Sequence, residues 1–172
     1  MASNIQPVPF AQTTEVESLF REWRSPLERY LVCSGMARDE ALDIVQDTFL
    51  RLHQHLLAGG DRANLRAWAF RVAHNAALNR RKSGAWRLTS PLAEASRTAV
   101  AADPERLLFH KERFRRLHAA MKELTSAERA CVLLRSEGLR YREIAEALEI
   151  PMSTIADHLD RALRKLGEKC NV

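Results

Sequence analysis

Along most of the chain, apolar residues return every three or four positions, which is the spacing of one face of an α-helix. In the first third they recur from Val16 to Leu31, from Leu42 to Leu56 and from Leu65 to Ala76. No segment alternates apolar and polar residues in the manner of a β-strand. The pattern therefore predicts an all-α protein.

Breakers and caps set the expected bounds of these first helices. Pro26 interrupts the first and is expected to kink or split it. Asp39 is a candidate N-cap for the second, Gly59-Gly60 ends it, and the third begins near Asn64. The predicted apolar stripe of the third helix consists of Leu65, Trp68, Ala69, Val72 and Ala76.

The helical spacing of apolar residues starts again in the second half of the chain. It follows a stretch rich in Ser, Thr, Pro and Ala that lacks steady periodicity and is typical of a linker. Thr125–Glu128 has the Thr-x-x-Glu pattern of a capping box, so a helix is expected to start there and to close at Gly138. The predicted organisation is a tail at 1–14, a helical unit at 15–83, a linker at 84–103 and a second helical unit at 104–170.

Residues 140–166 have the spacing of a helix-turn-helix. Ile150-Pro151 prevents one continuous helix, and Ala145 is small where two helices would cross closely. Such a pair leaves its second helix free for a DNA major groove. An ordinary helical hairpin inside a core is the alternative.

Composition narrows the function classes. The chain has 172 residues, a net charge of +5 and a pI near 9.5, which favours a polyanionic partner without requiring one. No apolar run is long enough for a membrane span and the start lacks a secretory pattern, so a cytoplasmic protein without membrane insertion is expected. Cys33, Cys131 and Cys170 are far apart and indicate reduced thiols. Neither a glycine-rich phosphate loop nor metal-ligand spacing is present, so we expect no enzyme, no cofactor and no metal.

The second helix places Asp43 and Asp47 on one face, with Gln46 beside them and away from the apolar stripe. This is either solvated surface or a docking face for a basic partner helix.

The third helix carries a candidate single-strand site. At 100° per residue, Phe70 lies away from the predicted stripe, on the side of His74 and Arg81, with Arg71 and Asn75 flanking it. An exposed aromatic beside cations and an amide suits stacked bases and phosphates. The alternative is that Phe70 packs beneath the linker or the second unit.

Three segments together resemble the bacterial RNA polymerase sigma factors of the sigma-70 family, in their small two-domain extracytoplasmic function (ECF) subfamily. They are "DEALDIVQDTFLRLHQHL", "LRAWAFRVAHNAALNRRKS" and "LTSAERACVLLRSEGLRYREIAEALEIPMSTIADHLDRALRKL". The resemblance extends from Val16 to Leu166 and implies a region 2-like bundle joined by the linker to a region 4-like helix-turn-helix bundle.

The resemblance also implies residue roles and partners. Asp43, Gln46 and Asp47 would bind core polymerase through its beta-prime subunit. The surface that reads and melts the minus-ten element would comprise Phe70, Arg71, His74, Asn75, Asn79, Arg80 and Arg81. The duplex minus-thirty-five element would be read by Arg142, Ser153, Thr154, Asp157, His158, Arg161, Arg164 and Lys165. The implied partners are core polymerase (beta-prime and beta), promoter DNA and, as a further candidate, an anti-sigma factor.

Two departures from the family pattern keep alternatives open. The turn at Ala58-Gly59-Gly60 lacks an aromatic that many relatives have, and Asp157 and Asp160 replace small or basic positions of the recognition helix. The alternatives are a free-standing helix-turn-helix regulator and a polymerase- or regulator-binding protein with a weakened DNA reader.

Overall fold

The computed structural model describes residues 10–83 and 115–170, and within them every regular element is an α-helix. This confirms the all-α prediction. The predicted linker at 84–103 lies outside the described residues. In chain order the helices are α1 (Phe10–Cys33), α2 (Arg38–Leu57), α3 (Leu65–Lys82), α4 (115–122), α5 (Ser126–Ser136), α6 (Tyr141–Leu148) and α7 (Met152–Cys170).

The N-terminal unit is formed by α1, α2 and α3, which pack on one another. Pro26 lies inside α1, so the helix is not split there. The helix already begins at Phe10, within the stretch predicted to be a tail. Leu27 and Leu31 of α1 and Leu52 of α2 are fully buried in one apolar core.

The observed helix ends agree with the predicted ones where a local sequence motif defines them. Asn64 is the N-cap of α3, and Thr125 and Glu128 form the expected capping box at the start of α5. Gly138 follows α5 at a φ of 87°, a conformation that favours glycine. Asp39, however, does not cap α2. Ala37 occupies the N-cap, and Asp39 lies in the first turn.

The C-terminal unit contains the expected pair of helices, with α6 and α7 packed on each other and on α5. Ile144, Ile155 and Leu159 are buried between them. The chain leaves α6 through Glu149, which adopts a left-handed φ of 57°, and then enters α7 after Pro151.

The two units also pack against each other, because α3 lies along α6 and α1 touches α5. One cluster of buried apolar residues runs through both units. None of the described helices has the length and apolar character that crossing a bilayer requires.

The predicted stripe of α3 is only part of its buried surface. Ala69 is buried, and Leu65, Trp68 and Ala76 are partly buried against the core. Helix α3 is covered by α1 and α2 and also by α6, so its contact surface is wider than one stripe. Small residues allow neighbouring helices to approach on these sides. The residues of α3 that are buried are Ala67, Ala69, Phe70, Ala73 and Ala77.

Candidate nucleic-acid interface

The outer edge of α3 brings most of the predicted minus-ten residues together. Asn75, Asn79 and Arg81 are exposed, whereas Arg71 and His74 are half-buried. Arg80 is also half-buried, and the basic residues of the last turn suit the negative end of the helix dipole. Amide and guanidinium groups are the groups that bond base edges and phosphates.

Phe70 does not belong to this edge. Its side chain is 0% exposed, and its ring meets that of Tyr30 edge-to-face, with centroids 5.7 Å apart. The expectation of an exposed stacking ring is therefore wrong. The cause is Tyr30 on α1, which covers the side of α3 that the sequence left without a partner.

Tyr30 also contacts His74. The two side chains meet at 2.6 Å between the phenol oxygen and Nδ1. Burial raises the pKa of Tyr30, while burial and then the charge of Arg81 lower the pKa of His74. Both shifts favour the neutral side chains. A hydrogen bond that the phenol donates to Nδ1 would place the imidazole proton on Nε2.

A cavity of about 590 Å³ opens between the turn before α3 and the helix-turn-helix. On its N-terminal wall the His55 ring stacks on Trp68, with centroids 4.9 Å apart, and Nε2 of His55 lies 2.9 Å from the carbonyl oxygen of Asp61. The residues that line it are His55, Asp61, Ala63, Asn64, Ala67, Trp68 and Arg71 from one unit, and Arg142, Glu146 and Glu149 from the other. Sequence reasoning missed His55, because its contact with Trp68 depends on the intervening turn.

Helix α7 presents most of the predicted duplex-reading residues to solvent. Ser153, Asp157, Arg161 and Arg164 are exposed, and Thr154 and His158 are half-buried. Arg142 on α6 is exposed as well.

The two aspartates of α7 differ in their surroundings. Asp160 forms an ion pair with Arg164 at 2.8 Å. Arg161 donates to the backbone oxygen of Asp157 at 3.1 Å, and within the described ranges no cation pairs with the Asp157 carboxylate. Asp160 is thus partly neutralised, and Asp157 is the aspartate that offers an acceptor to a partner.

Lys165 differs from the other predicted duplex-reading residues. Its ammonium lies 2.8 and 3.0 Å from the two carboxylate oxygens of Glu128, which is buried. The ammonium therefore has an internal partner that the sequence did not indicate, while the lysine side chain remains 41% exposed and its phosphate contact stays a prediction.

The acidic face of α2 carries Asp43 and Gln46 in exposed positions, and Asp47 forms an ion pair with Arg51 at 3.0 Å. Beside it, a groove of about 440 Å³ runs between α1 and α2. Leu50 on its rim is 63% exposed, and Phe20 and Phe49 form part of its wall. Sequence reasoning missed this groove, although a leucine on the polar side of an amphipathic helix was a signal for it.

Comparisons with known proteins cover both units. The Sigma-70 region 2 family matches residues 19–87, and the Sigma-70 region 4 family matches residues 114–166. The ECF RNA polymerase sigma factor SigL of Mycobacterium tuberculosis is 31% identical over 159 residues, which are 91% of this chain and 89% of that protein. The RNA polymerase sigma factor YlaC of Bacillus subtilis is 26% identical over 154 residues, with 88% and 89% covered.

Two solved structures share the fold. CnrH, solved in complex with the cytosolic domain of CnrY, has a TM-score of 0.64 and 21% identity, with 91% of this chain and 87% of that chain covered. The sigma factor RpoE of Bartonella quintana, solved with the anti-sigma factor NepR, has a TM-score of 0.62 and 19% identity, with 91% and 98% covered.

Proposed function

The chain belongs to the ECF sigma factors of the sigma-70 family, and from this premise we propose how its surfaces divide the work of initiation. As an ECF sigma factor it directs RNA polymerase to promoters and catalyses no reaction itself. The observation that carries the proposal is the separation of three surfaces: an acidic face on α2, an amide and basic edge on α3, and an exposed α7.

The α2 face is the proposed docking site for core polymerase. The carboxylates of Asp43 and Asp47 would meet basic side chains of a beta-prime helix, with Gln46 between them. Leu50 and the groove behind it would accept an apolar side chain of the same helix. Exposed apolar area beside charged side chains is a common arrangement at protein interfaces. Contacts with the beta subunit are proposed for other parts of the chain.

The α3 edge is the proposed minus-ten reader. Asn75 is the proposed contact to an unstacked base, because an exposed amide can bond a base edge in both directions. Arg71, Asn79, Arg80 and Arg81 would contact phosphates, and His74 would donate from Nε2. Phe70 has a positioning role in this proposal, because it anchors α3 against Tyr30.

Helix α7 is the proposed reader of the minus-thirty-five duplex. Asp157 would accept a hydrogen bond from a cytosine amino group in the major groove. Ser153, Thr154 and His158 lie on the same helix, while Arg142, Arg161 and Arg164 would supply phosphate contacts.

We extend two further assignments to this chain. Both structural relatives were solved in complex with another protein, which in one of them is described as an anti-sigma factor. An anti-sigma factor is the proposed regulator here. The cytoplasm, where RNA polymerase meets the chromosome, is the proposed site of action.

The division of work is tested with one variant per surface in reconstituted holoenzyme. Asp43→Arg should reduce binding to core. Asn75→Ala should bind core and duplex DNA normally but reduce permanganate reactivity of promoter thymines, which reports strand separation. Asp157→Ser should change which base is preferred in the minus-thirty-five element and leave the preference in the minus-ten element unchanged. If Asn75→Ala melts promoters as the wild type does, the α3 assignment is wrong.

A further inference from the structure

The turn between α2 and α3, residues 58–64, precedes the helix that carries the proposed minus-ten edge. It is called the α2–α3 turn below. It contains no large apolar side chain that could anchor it in the core, and its last four residues are exposed. Its shape therefore depends on polar contacts and on its two glycines.

His55, in the last turn of α2, contacts both the turn and the helix that follows it. Its Nε2 lies 2.9 Å from the carbonyl oxygen of Asp61. A carbonyl oxygen only accepts, so the imidazole is the donor in this hydrogen bond. The ring also stacks on Trp68 in the first turn of α3, with centroids 4.9 Å apart and planes at 26°. One side chain of α2 thus connects the middle of the turn with the start of α3.

Gly60 makes room for this ring. A Cβ added at Gly60 would lie 2.2–2.5 Å from three atoms of the His55 ring. The backbone itself does not require glycine there, because the positive φ values of the turn belong to Gly59 and Asn64. Gly60 also donates its N–H to the carbonyl oxygen of His55 at 2.9 Å. The two residues therefore form a matched pair.

Further polar contacts carry the position of Asp61 through the rest of the turn. Its Oδ1 accepts the backbone N–H of Ala63 at 2.9 Å, the local hydrogen bond by which an aspartate stabilises a turn. Arg62 donates to both carboxylate oxygens of Glu15 on α1, each at 2.7 Å. The hydrogen bond from His55 to Asp61 is thus one of a set of contacts that fix the turn to α1 and α2.

The face of α3 that begins at this turn leads to the proposed base contact. Asn64, Trp68, Arg71 and Asn75 follow at spacings of four, three and four residues, so they lie along one side of the helix. Arg71, one of the proposed minus-ten residues, lines the same cavity as His55, Asp61 and Trp68. The α2–α3 turn therefore forms one end of the surface on which the minus-ten strand is proposed to lie.

We propose that His55 is a positioning residue for minus-ten recognition. It touches no DNA itself and acts through Asp61 and Trp68, which it holds in one arrangement so that the strand meets a single conformation of the turn. A preorganised surface discriminates between bases better than one that rearranges around each of them. The inference rests on the proposed role of α3. The partners of His55 all belong to the N-terminal unit, so the arrangement does not depend on the packing of the C-terminal unit.

Amide exchange with solvent, measured by NMR on the free full-length chain, tests the positioning. In His55→Ala the Ala63 N–H should exchange about tenfold faster, because its acceptor Asp61 is no longer held. His55→Phe keeps a ring but lacks the donor and should show the same change. His55→Gln, whose amide can donate to the same oxygen, should stay close to the wild type. Exchange at Ala63 that is unaltered in His55→Ala or in His55→Phe overturns the proposal.

His53→Ala is the matched control for this measurement. It removes the other half-buried histidine of the same part of α2, which lines the groove between α1 and α2 and not the cavity before α3. Exchange at Ala63 should be unchanged in His53→Ala. A change as large as in His55→Ala would show that the turn responds to any alteration of α2 and would overturn the specific role of His55.

The base preference of the holoenzyme tests the consequence for recognition. A promoter that the wild-type holoenzyme transcribes is randomised in its minus-ten element, transcribed in vitro and sequenced. His55→Ala and His55→Phe should lower the discrimination at a minus-ten position by about fivefold, whereas His55→Gln and His53→Ala should retain it. A merely structural role would lower stability and the yield from all promoters alike. Unchanged preference in His55→Ala therefore overturns the role in recognition.

Gly60→Ala provides a second variant that keeps His55 in the chain. The added methyl group would displace the ring, so Gly60→Ala should reduce discrimination as His55→Ala does and add nothing in a His55→Ala background. Additive effects would show that the turn responds to Gly60 without the ring and would overturn the account. If the wild-type holoenzyme starts no transcript, the proposed function fails, while exchange at Ala63 still decides whether His55 positions the turn.

Discussion

Lys165 and Glu128 are 37 residues apart in the chain, yet the lysine ammonium bonds both carboxylate oxygens of the glutamate. The same carboxylate accepts the backbone N–H of Thr125 at 2.9 Å and so completes the capping box of α5. Glu128 is 3% exposed. One buried carboxylate therefore starts α5 and ties it to α7, and it fixes the position of the helix that presents the duplex-reading residues.

The charge of Glu128 gives the protein a specific acid sensitivity. The hydrogen bond from Lys165, followed by those at Thr125, lowers the pKa of Glu128 from its ordinary value of 4.5 to about 2. Because the folded state favours the ionised form, this stabilisation is complete above about pH 4.5 and is lost as the pH falls towards 2. Urea unfolding from pH 6 to pH 3 should show a smaller loss of stability in Glu128→Gln than in the wild type. Parallel losses would contradict the assignment.

The same residue allows the ion pair to be separated from the cap. Glu128→Gln should cost about 1–3 kcal/mol at pH 7, because it leaves Lys165 without its anion while an amide can still serve the capping box. Glu128→Ala should cost roughly 1 kcal/mol more, since the cap is lost as well. The free energy of unfolding of the two variants measures the difference. Equal stabilities would show that the capping hydrogen bond contributes nothing.

Lys165 and Arg161 should respond differently to salt. Lys165→Met should destabilise the fold by about 1–3 kcal/mol yet leave the salt dependence of duplex binding unchanged, because its charge is used internally. Arg161→Ala should reduce the slope of log K against log salt by about one, as expected for a lost phosphate contact. Fluorescence anisotropy with a minus-thirty-five duplex at several salt concentrations measures both. A slope lowered equally in Lys165→Met would support its predicted phosphate contact.

The groove beside α2 should contribute to polymerase binding separately from the charges. Leu50→Ser should reduce affinity for core by about fivefold, in the range of a lost interface side chain, while stability changes little because Leu50 is exposed. Asp43→Arg/Asp47→Arg should reduce it by at least about tenfold through charge reversal. Ser25→Arg, at an exposed position of α1 that does not line the groove, is the control. Affinity for core that is unchanged in Leu50→Ser would remove the groove from the interface.

Gly60 should tolerate no side chain while His55 is in place. An added Cβ would lie 2.2–2.5 Å from atoms of the His55 ring, which stacks on Trp68. Gly60→Ala should therefore cost about 1–2 kcal/mol, as is usual for overpacking. In a His55→Ala background the same substitution should cost close to nothing, which a double-mutant cycle of unfolding free energies measures. A cost that persists without His55 would show that backbone strain, and not the ring, excludes alanine.

The features that could be predicted from the sequence are those that short local patterns determine. The capping box at Thr125, the start of α3 near Asn64 and the break at Pro151 follow from residues a few positions apart. Long-range partners were not predictable in the same way. Tyr30 buries Phe70 from 40 positions away in the chain, and Glu128 pairs with Lys165 from 37 positions away.

The contacts between the two units show the same limit. Glu137, Glu146 and Glu149 look like ordinary surface charges in the sequence. Their partners Arg29, Asn64 and Arg71 become apparent only when the two units pack.

Run-off transcription with purified chain and reconstituted core polymerase tests the central claim most directly. The template is the region upstream of the protein's own gene, together with a library of genomic fragments. We expect a transcript with a defined start that requires the chain and is abolished by Asp43→Arg/Asp47→Arg. Stable binding to core without a transcript from any fragment would contradict promoter recognition, and it would favour a polymerase-binding protein with a weakened DNA reader.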